Sequence, residues 1–201
     1  MKGLFITGTD TGVGKTFVSC ALVRAARAAG HSVFAFKPIE TGCVDGVGED
    51  QTALAAAAGD VVRGTYRLAL PAAPWVAAQA ERVEIDLERI QSDLVAGAAC
   101  ADRVLVEAAG GWRVPITATG DTGALARVCG LPVLVVARAG LGTINHTLLT
   151  IDAIQRDELP IAGVVLSLRP DDDIQFADSN AQQICARSGV EVSVWPALPV
   201  L

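Results

Sequence analysis

Lysine is scarce in this chain of 201 residues: there are three, against thirteen arginines. Acidic residues outnumber basic ones 22 to 16, a net charge of −6, so no basic surplus is available to neutralise a nucleic-acid backbone. With two histidines and no CxxC pair, the sequence offers no thiolate or imidazole metal set. Its five scattered cysteines, Cys20, Cys43, Cys100, Cys129 and Cys185, are expected to be reduced, buried thiols that pack as small hydrophobes. Apolar runs such as Leu131 to Ala137 are no longer than a buried strand and far short of the roughly 18 residues of a membrane span. There is no signal-peptide pattern after Met1, no linker, no fixed-period repeat and no low-complexity tract. The expectation is a single domain over residues 1–201, located in the cytoplasm, with neither nucleic acid nor membrane as a partner.

Hydrophobic residues make up 51% and charged residues 19%, enough to build a large buried core. Short β-branched runs alternate with alanine-rich stretches, the rhythm of βαβ units on a parallel sheet. Strands are predicted at 3–7, 33–36, 104–107, 133–137, 161–167 and 192–195. Helices are predicted at 15–29, 51–58, 85–101, 122–129, 145–157 and 174–188. The predicted fold class is α/β, a mostly parallel sheet of about seven strands flanked by helices on both faces.

The most informative segment is Gly8-Thr9-Asp10-Thr11-Gly12-Val13-Gly14-Lys15-Thr16, between the first strand and the first helix. Glycines there let successive N–H groups point inward, and the helix N-terminus adds partial positive charge where phosphate oxygens would rest. Lys15 would reach the β- and γ-phosphates, and the Thr16 hydroxyl would face Mg²⁺. The strict pattern G-x-x-x-x-G-K-[ST] wants glycine at position 9; here Thr9 stands there and the glycine is Gly8, so the loop is a variant. A P-loop NTPase fold follows from this motif in this context.

A chain that uses arginine for generic surface charge has a reason for each lysine. Lys37 directly follows the second predicted strand, on the same sheet edge as Lys15, where open α/β folds bind ligands. Glu107 closes the predicted strand 104–107, where an unpaired buried carboxylate would be expensive and a metal ion would satisfy it. Asp50 lies in a polar loop before a helix; metal binding and an ordinary helix N-cap account for it equally well.

Four segments together resemble one family. They are Gly8 through Thr16; Lys37-Pro38-Ile39-Glu40-Thr41-Gly42; Val106-Glu107-Ala108-Ala109-Gly110-Gly111-Trp112; and Gly142-Thr143-Ile144-Asn145-His146 with Leu148-Leu149-Thr150. In residues, order and spacing these are similar to the dethiobiotin synthetases of biotin synthesis, from the N-terminus to about residue 166. The resemblance implies an ATP- and Mg²⁺-dependent cyclo-ligase acting on 7,8-diaminopelargonate and CO₂, by way of a carbamate and a carbamic-phosphoric anhydride. It implies Lys15 and Lys37 as catalytic groups at the carbamate and γ-phosphate, with Thr11 and Thr41 orienting the carbamate. Thr16, Asp50 and Glu107 would hold Mg²⁺. Gly12, Val13, Gly14, Lys15, Thr16 and Phe17 would carry the nucleotide phosphates, with Ser167 near the base; Pro196 and Leu198 read equally well as lining the base pocket and as a C-terminal tail packed on the sheet. Substrate would also meet the Gly110 and Gly111 amides. The family's homodimer implies that Thr143, Ile144 and Asn145 of a partner chain help to bind the substrate carboxylate; on sequence alone this segment is equally a simple helix start.

Three positions depart from the family. Ala108 replaces a common glycine, adding a Cβ where the backbone is expected to approach ligand. Trp75 stands where a histidine is usual. Ser167 lies near the place of an asparagine that reads the adenine edge, so CTP and other triphosphates become possible co-substrates. A competing class, the P-loop switch or partitioning ATPases, usually carries a second lysine early in the loop, and Thr9-Asp10-Thr11 has none.

Overall fold

The computed structural model describes residues 1–196. Strand β1, Gly3–Gly8, runs through the middle of a six-stranded parallel sheet. Its neighbours come from far along the chain: β5, Arg103–Gly111, on one side and β6, Val133–Arg138, on the other. Outside β5 lies β2, Val33–Phe36; outside β6 lie β7, Ile161–Ser167, and then β8, Val192–Trp195. Side chains alternate between the two faces of each strand. Ile6, Leu105, Leu134 and Val136 pack on one face against α1, Lys15–Ala28, and α2, Glu49–Ala58. Phe5, Val104, Val106, Val133 and Val135 pack on the other face. That face is covered by α4, Leu87–Ala98; α5, Thr122–Cys129; α6, Thr143–Arg156; and α7, Ile174–Ser188.

The helices begin where the sequence supplies acceptors. Asp86, Asp121 and Asp173 cap α4, α5 and α7 by accepting from N–H groups of the first turn.

The main sheet has six strands, where about seven were expected. The six strand segments read from the sequence are the six observed, and the unforeseen part lies after Pro38, which has no N–H to give to a ladder. There the chain leaves the sheet and forms a separate parallel ribbon from β3, Ile39–Thr41, and β4, Tyr66–Leu68. At three residues each, these strands are too short to show a periodic pattern. A short helix, α3, Pro74–Glu81, was also unforeseen; its first turn is proline-initiated. β5 runs four residues beyond Glu107, so that carboxylate sits inside the strand, paired in register with Ile6, instead of closing it. Of the five cysteines, Cys20, Cys43 and Cys129 are buried, whereas Cys100 and Cys185 are exposed, contrary to the expectation for all five.

Leu94 on α4 is fully buried among Phe34 and its neighbours. Leu94→Ala is expected to lower unfolding stability by about 2–5 kcal/mol, read from the midpoint of a urea titration at unchanged m-value.

Candidate active site

All six parallel strands point their carboxyl ends to one edge, and the cleft lies there, with a volume of about 730 Å³. The loop between β1 and α1 forms one wall. Gly14 caps α1 with φ of 98°, and a Cβ at this position would stand 2.5 Å from the Ser167 hydroxyl, so only glycine fits. α1 then starts with Lys15, whose ammonium turns back across the loop and donates to the Asp10 carbonyl at 3.0 Å.

The floor is a charged cluster. Lys37, next after β2 and 4% exposed, donates to Asp50 Oδ2 at 2.6 Å and to Glu107 Oε1 at 2.7 Å. The Thr16 hydroxyl lies 2.7 Å from Asp50 Oδ1 and 2.9 Å from Glu107 Oε1; with one proton it donates to one of them at a time. Glu107 is fully buried, and its second oxygen, Oε2, has no hydrogen-bond partner. Asp50 is not the cap of α2. The N-cap is Gly48, and Asp50 sits inside the first turn with its carboxylate aimed at Thr16 and Lys37.

Electrostatics separates the two lysines. Burial works against the Lys37 ammonium, but the charges of Glu107 and Asp50 outweigh it and hold its pKa above the ordinary lysine value. Burial likewise opposes ionised Asp50, and Lys37 overrides it, keeping the carboxyl below the usual carboxylate range. At Lys15 burial dominates, reinforced by the like charge of Lys37, and the pKa falls to about 8. Among the described residues no group of three or more His, Cys, Asp or Glu side chains is placed to hold a metal ion, and the donor set here is two carboxylates and a hydroxyl.

Most of the expected residues meet in this cleft. Thr11, Gly12, Gly14, Lys15, Thr16 and Phe17 line it from the loop, and Lys37, Thr41, Asp50 and Gly110 line it from the other elements. Val13 is buried beneath the loop, and Gly111 lies behind it, where a Cβ would stand 3.3 Å from the Gly8 carbonyl. Ala108 corrects an expectation: it is fully buried in the core, on the strand face opposite Glu107, and its Cβ meets no ligand space. Ser167 packs against Gly14 at the phosphate loop. Thr143, Ile144 and Asn145 open α6 after the Gly142 cap and do not line the cleft; Thr143 is turned inward, beside Thr147, and Asn145 is exposed. Pro196 is exposed after β8, and Leu198 lies outside the described residues.

Two features went unread in the sequence, the wall 71–74 and the pair Glu40 and Gln51, while Trp75, read there as a departure from the family, lies outside the cleft lining. The segment Pro71 to Pro74 supplies an apolar wall facing the lysines. Trp75, in the first turn of α3, donates its main-chain N–H to the Pro115 carbonyl. Glu40 and Gln51 are buried polar residues beneath Asp50 and Lys37. Gln51 follows Glu49 and Asp50 and precedes Thr52, so no local sequence signal marks the last pair as buried.

The chain is matched by the family model described as an AAA domain over residues 2–200. Solved structures share the fold. The signal recognition particle 54 kDa protein of Aeropyrum pernix, in complex with GDP, aligns with a TM-score of 0.66 at 18% identity, over 98% of this chain and 41% of that one. The MinC:MinD complex of Aquifex aeolicus aligns with a TM-score of 0.62 at 14% identity, over 99% and 83%. At such identities the likeness establishes a P-loop NTPase fold only. Closer in sequence is the ATP-dependent dethiobiotin synthetase of Anaeromyxobacter dehalogenans strain 2CP-C, 50% identical over 92% of this chain and 84% of that protein. The enzymes of the same name from Nitrosospira multiformis and Aromatoleum aromaticum are 45% and 42% identical, over 82% and 92% of this chain and 74% and 86% of theirs. Identities of 42–50% over most of the chain do not favour a switch ATPase: the chain belongs to the ATP-dependent dethiobiotin synthetases, cyclo-ligases of biotin biosynthesis.

Proposed function

We propose that the cleft between Lys15, Lys37 and the wall 71–74 is where dethiobiotin is made, with each residue in the role its surroundings suit. One amine of 7,8-diaminopelargonate adds to CO₂ and loses a proton, giving a carbamate held by Thr11 and Thr41 between the two ammonium groups. A carbamate oxygen attacks the γ-phosphorus of ATP, and ADP leaves. The second amine then attacks the carbonyl carbon of the mixed anhydride, expels inorganic phosphate and closes the ring. The triphosphate, the carbamate, the mixed anhydride and the leaving ADP and phosphate are all anions, and positioned cations are the main stabilisation a protein can offer them. The observation that carries the reading is that two of only three lysines are buried and line one cleft.

The floor also suits Mg²⁺. All its donors are oxygens, and the buried Glu107 Oε2 lacks any partner. Thr16, Asp50 and Glu107 would hold the ion, which when bound supplies charge neutralisation at the β- and γ-phosphate oxygens. The Gly110 amide faces the substrate in this reading, and Gly12 to Phe17 carry the phosphates.

A homodimer belongs to the same proposal. Thr143 to Asn145 sit at a helix N-terminus outside this chain's own cleft, which supports their serving the substrate carboxylate in a partner's cleft. A single domain in the cytoplasm completes the reading; among the described residues no helix is long and apolar enough to cross a membrane. The side chain of Ser167 turns to the phosphate loop and gives the base no amide contact, so the phosphates carry most of the nucleotide's affinity.

Phosphate release in the presence of Mg²⁺, bicarbonate and ATP is expected to depend on the diamine, with dethiobiotin identified by mass; diamine-independent hydrolysis would defeat the proposal. Lys37→Ala should lower kcat at least about 100-fold while ATP still binds, whereas Lys15→Ala weakens both, as calorimetry with ATP would register. Chelation by EDTA should abolish turnover, with recovery on adding Mg²⁺ back. For base choice, kcat/KM for ATP over CTP should stay below about tenfold, far from the roughly 10⁴-fold of a site with a dedicated hydrogen bond.

A further inference from the structure

Asp50 and Lys37 can meet only if their main chains are held in place, and the residues discussed so far do not hold them. Glu40 lies in β3, one residue before Thr41, and is buried. Its Oε1 accepts from the Asp50 N–H at 2.8 Å, and its Oε2 accepts from the Gln51 N–H at 2.8 Å. Those N–H groups belong to the first turn of α2, where the helix itself offers no acceptor and the helix dipole favours negative charge. A side chain at the N-cap ordinarily takes them. Here the N-cap is Gly48, and a Cβ at that position would fall on the Glu40 carboxylate.

Gln51 continues the connection. It is almost wholly buried; its Nε2 donates to the Lys37 carbonyl at 2.9 Å, and its Oε1 accepts from Arg67 Nε at 2.6 Å. The arginine therefore fixes which way the amide faces. One carboxylate thus ties β3, which carries Thr41, to α2, which carries Asp50, and through Gln51 to the main chain of Lys37.

We propose that Glu40 is a positioning residue of the reaction: by capping α2 from β3 it sets the placement at which Asp50 and Lys37 meet Thr16 and Glu107. It acts through α2, not on the reacting atoms. The inference rests on the reading of Asp50 as a metal-holding residue, and the experiment separates the two.

Mg²⁺ is titrated against the full-length enzyme with two readouts, turnover and the Mg²⁺-dependent gain in ADP affinity by calorimetry. The proteins compared are the wild type, Glu40→Gln, Asp50→Asn, and the double variant Glu40→Ala with Gly48→Asp. Glu40→Gln keeps the shape but turns an amide N–H toward a main-chain N–H. It should raise the half-saturating Mg²⁺ by about 10-fold or more in both readouts, while the diamine KM stays within about twofold. The double variant puts a carboxylate at the N-cap, on backbone that is already extended at φ −95° and ψ 128°, and should recover most of the Mg²⁺ response. Lower stability of Glu40→Gln with an unchanged Mg²⁺ response would overturn the proposal. So would a rise in diamine KM alone, or a folded double variant without recovery, since either makes Glu40 a direct contact. If Glu40→Gln fails to fold, the double variant decides. An unaltered Mg²⁺ response in Asp50→Asn would instead remove the metal reading beneath the proposal.

Discussion

A buried ammonium between two carboxylates is the constraint around which this edge of the sheet is arranged. Lys37 satisfies Asp50 and Glu107 together, and Glu107 is fully enclosed. Removing three charges from water costs more than an apolar cluster of the same volume would. Such an arrangement is a poor source of stability and a good source of definition, because each charge tolerates only a few positions for the others. The elements that bring it together are β2, β5, α1 and α2, and their packing on one sheet face by Ile6, Leu105, Val18 and Leu54 supplies the stability that the charges do not.

The two lysines show how one residue type serves two ends. Lys37 is held in its charged form by carboxylates on two elements. Lys15 donates to a carbonyl of its own loop, and burial leaves its ammonium less favoured. A cation of this second kind gains most from an incoming anion, whereas Lys37 must be drawn from partners it already has. The loop lysine is thus suited to capture and the floor lysine to a later, more selective contact.

Much of this was legible in the sequence because it rests on local rules. β1, the glycine loop and α1 follow one another within 28 residues, and their signals are hydrophobic runs and glycines of fixed spacing. The α/β class and the boundaries of α5, β7, α7 and β8 could be read in the same way. What escaped depends on long-range contact. The β3–β4 ribbon is too short to have a period, so it was not foreseen, whereas all six strands of the main sheet were. Asp50 read equally well as a metal-holding residue and as a cap, because an aspartate before a helix usually is one; only the fold brings in Glu40 to take the capping task from ten residues away. Ala108 was expected at ligand because its neighbours are; the alternation of a strand, once β5 is seen to continue through residue 111, turns its Cβ to the core.

The strand order has a consequence for how the protein comes into being on the ribosome. β1 and the phosphate loop are made first, yet both neighbours of β1 arrive late: Gly3 pairs with Val104, and Phe5 with Val133. Closing a loop of that length is entropically slow, and until it closes β1 has two open edges and the loop has no floor. A nascent chain of the first hundred residues therefore contains the whole phosphate-binding motif and none of the carboxylate framework of Glu107. The central strand must be kept from pairing with the wrong partner until β5 leaves the exit tunnel.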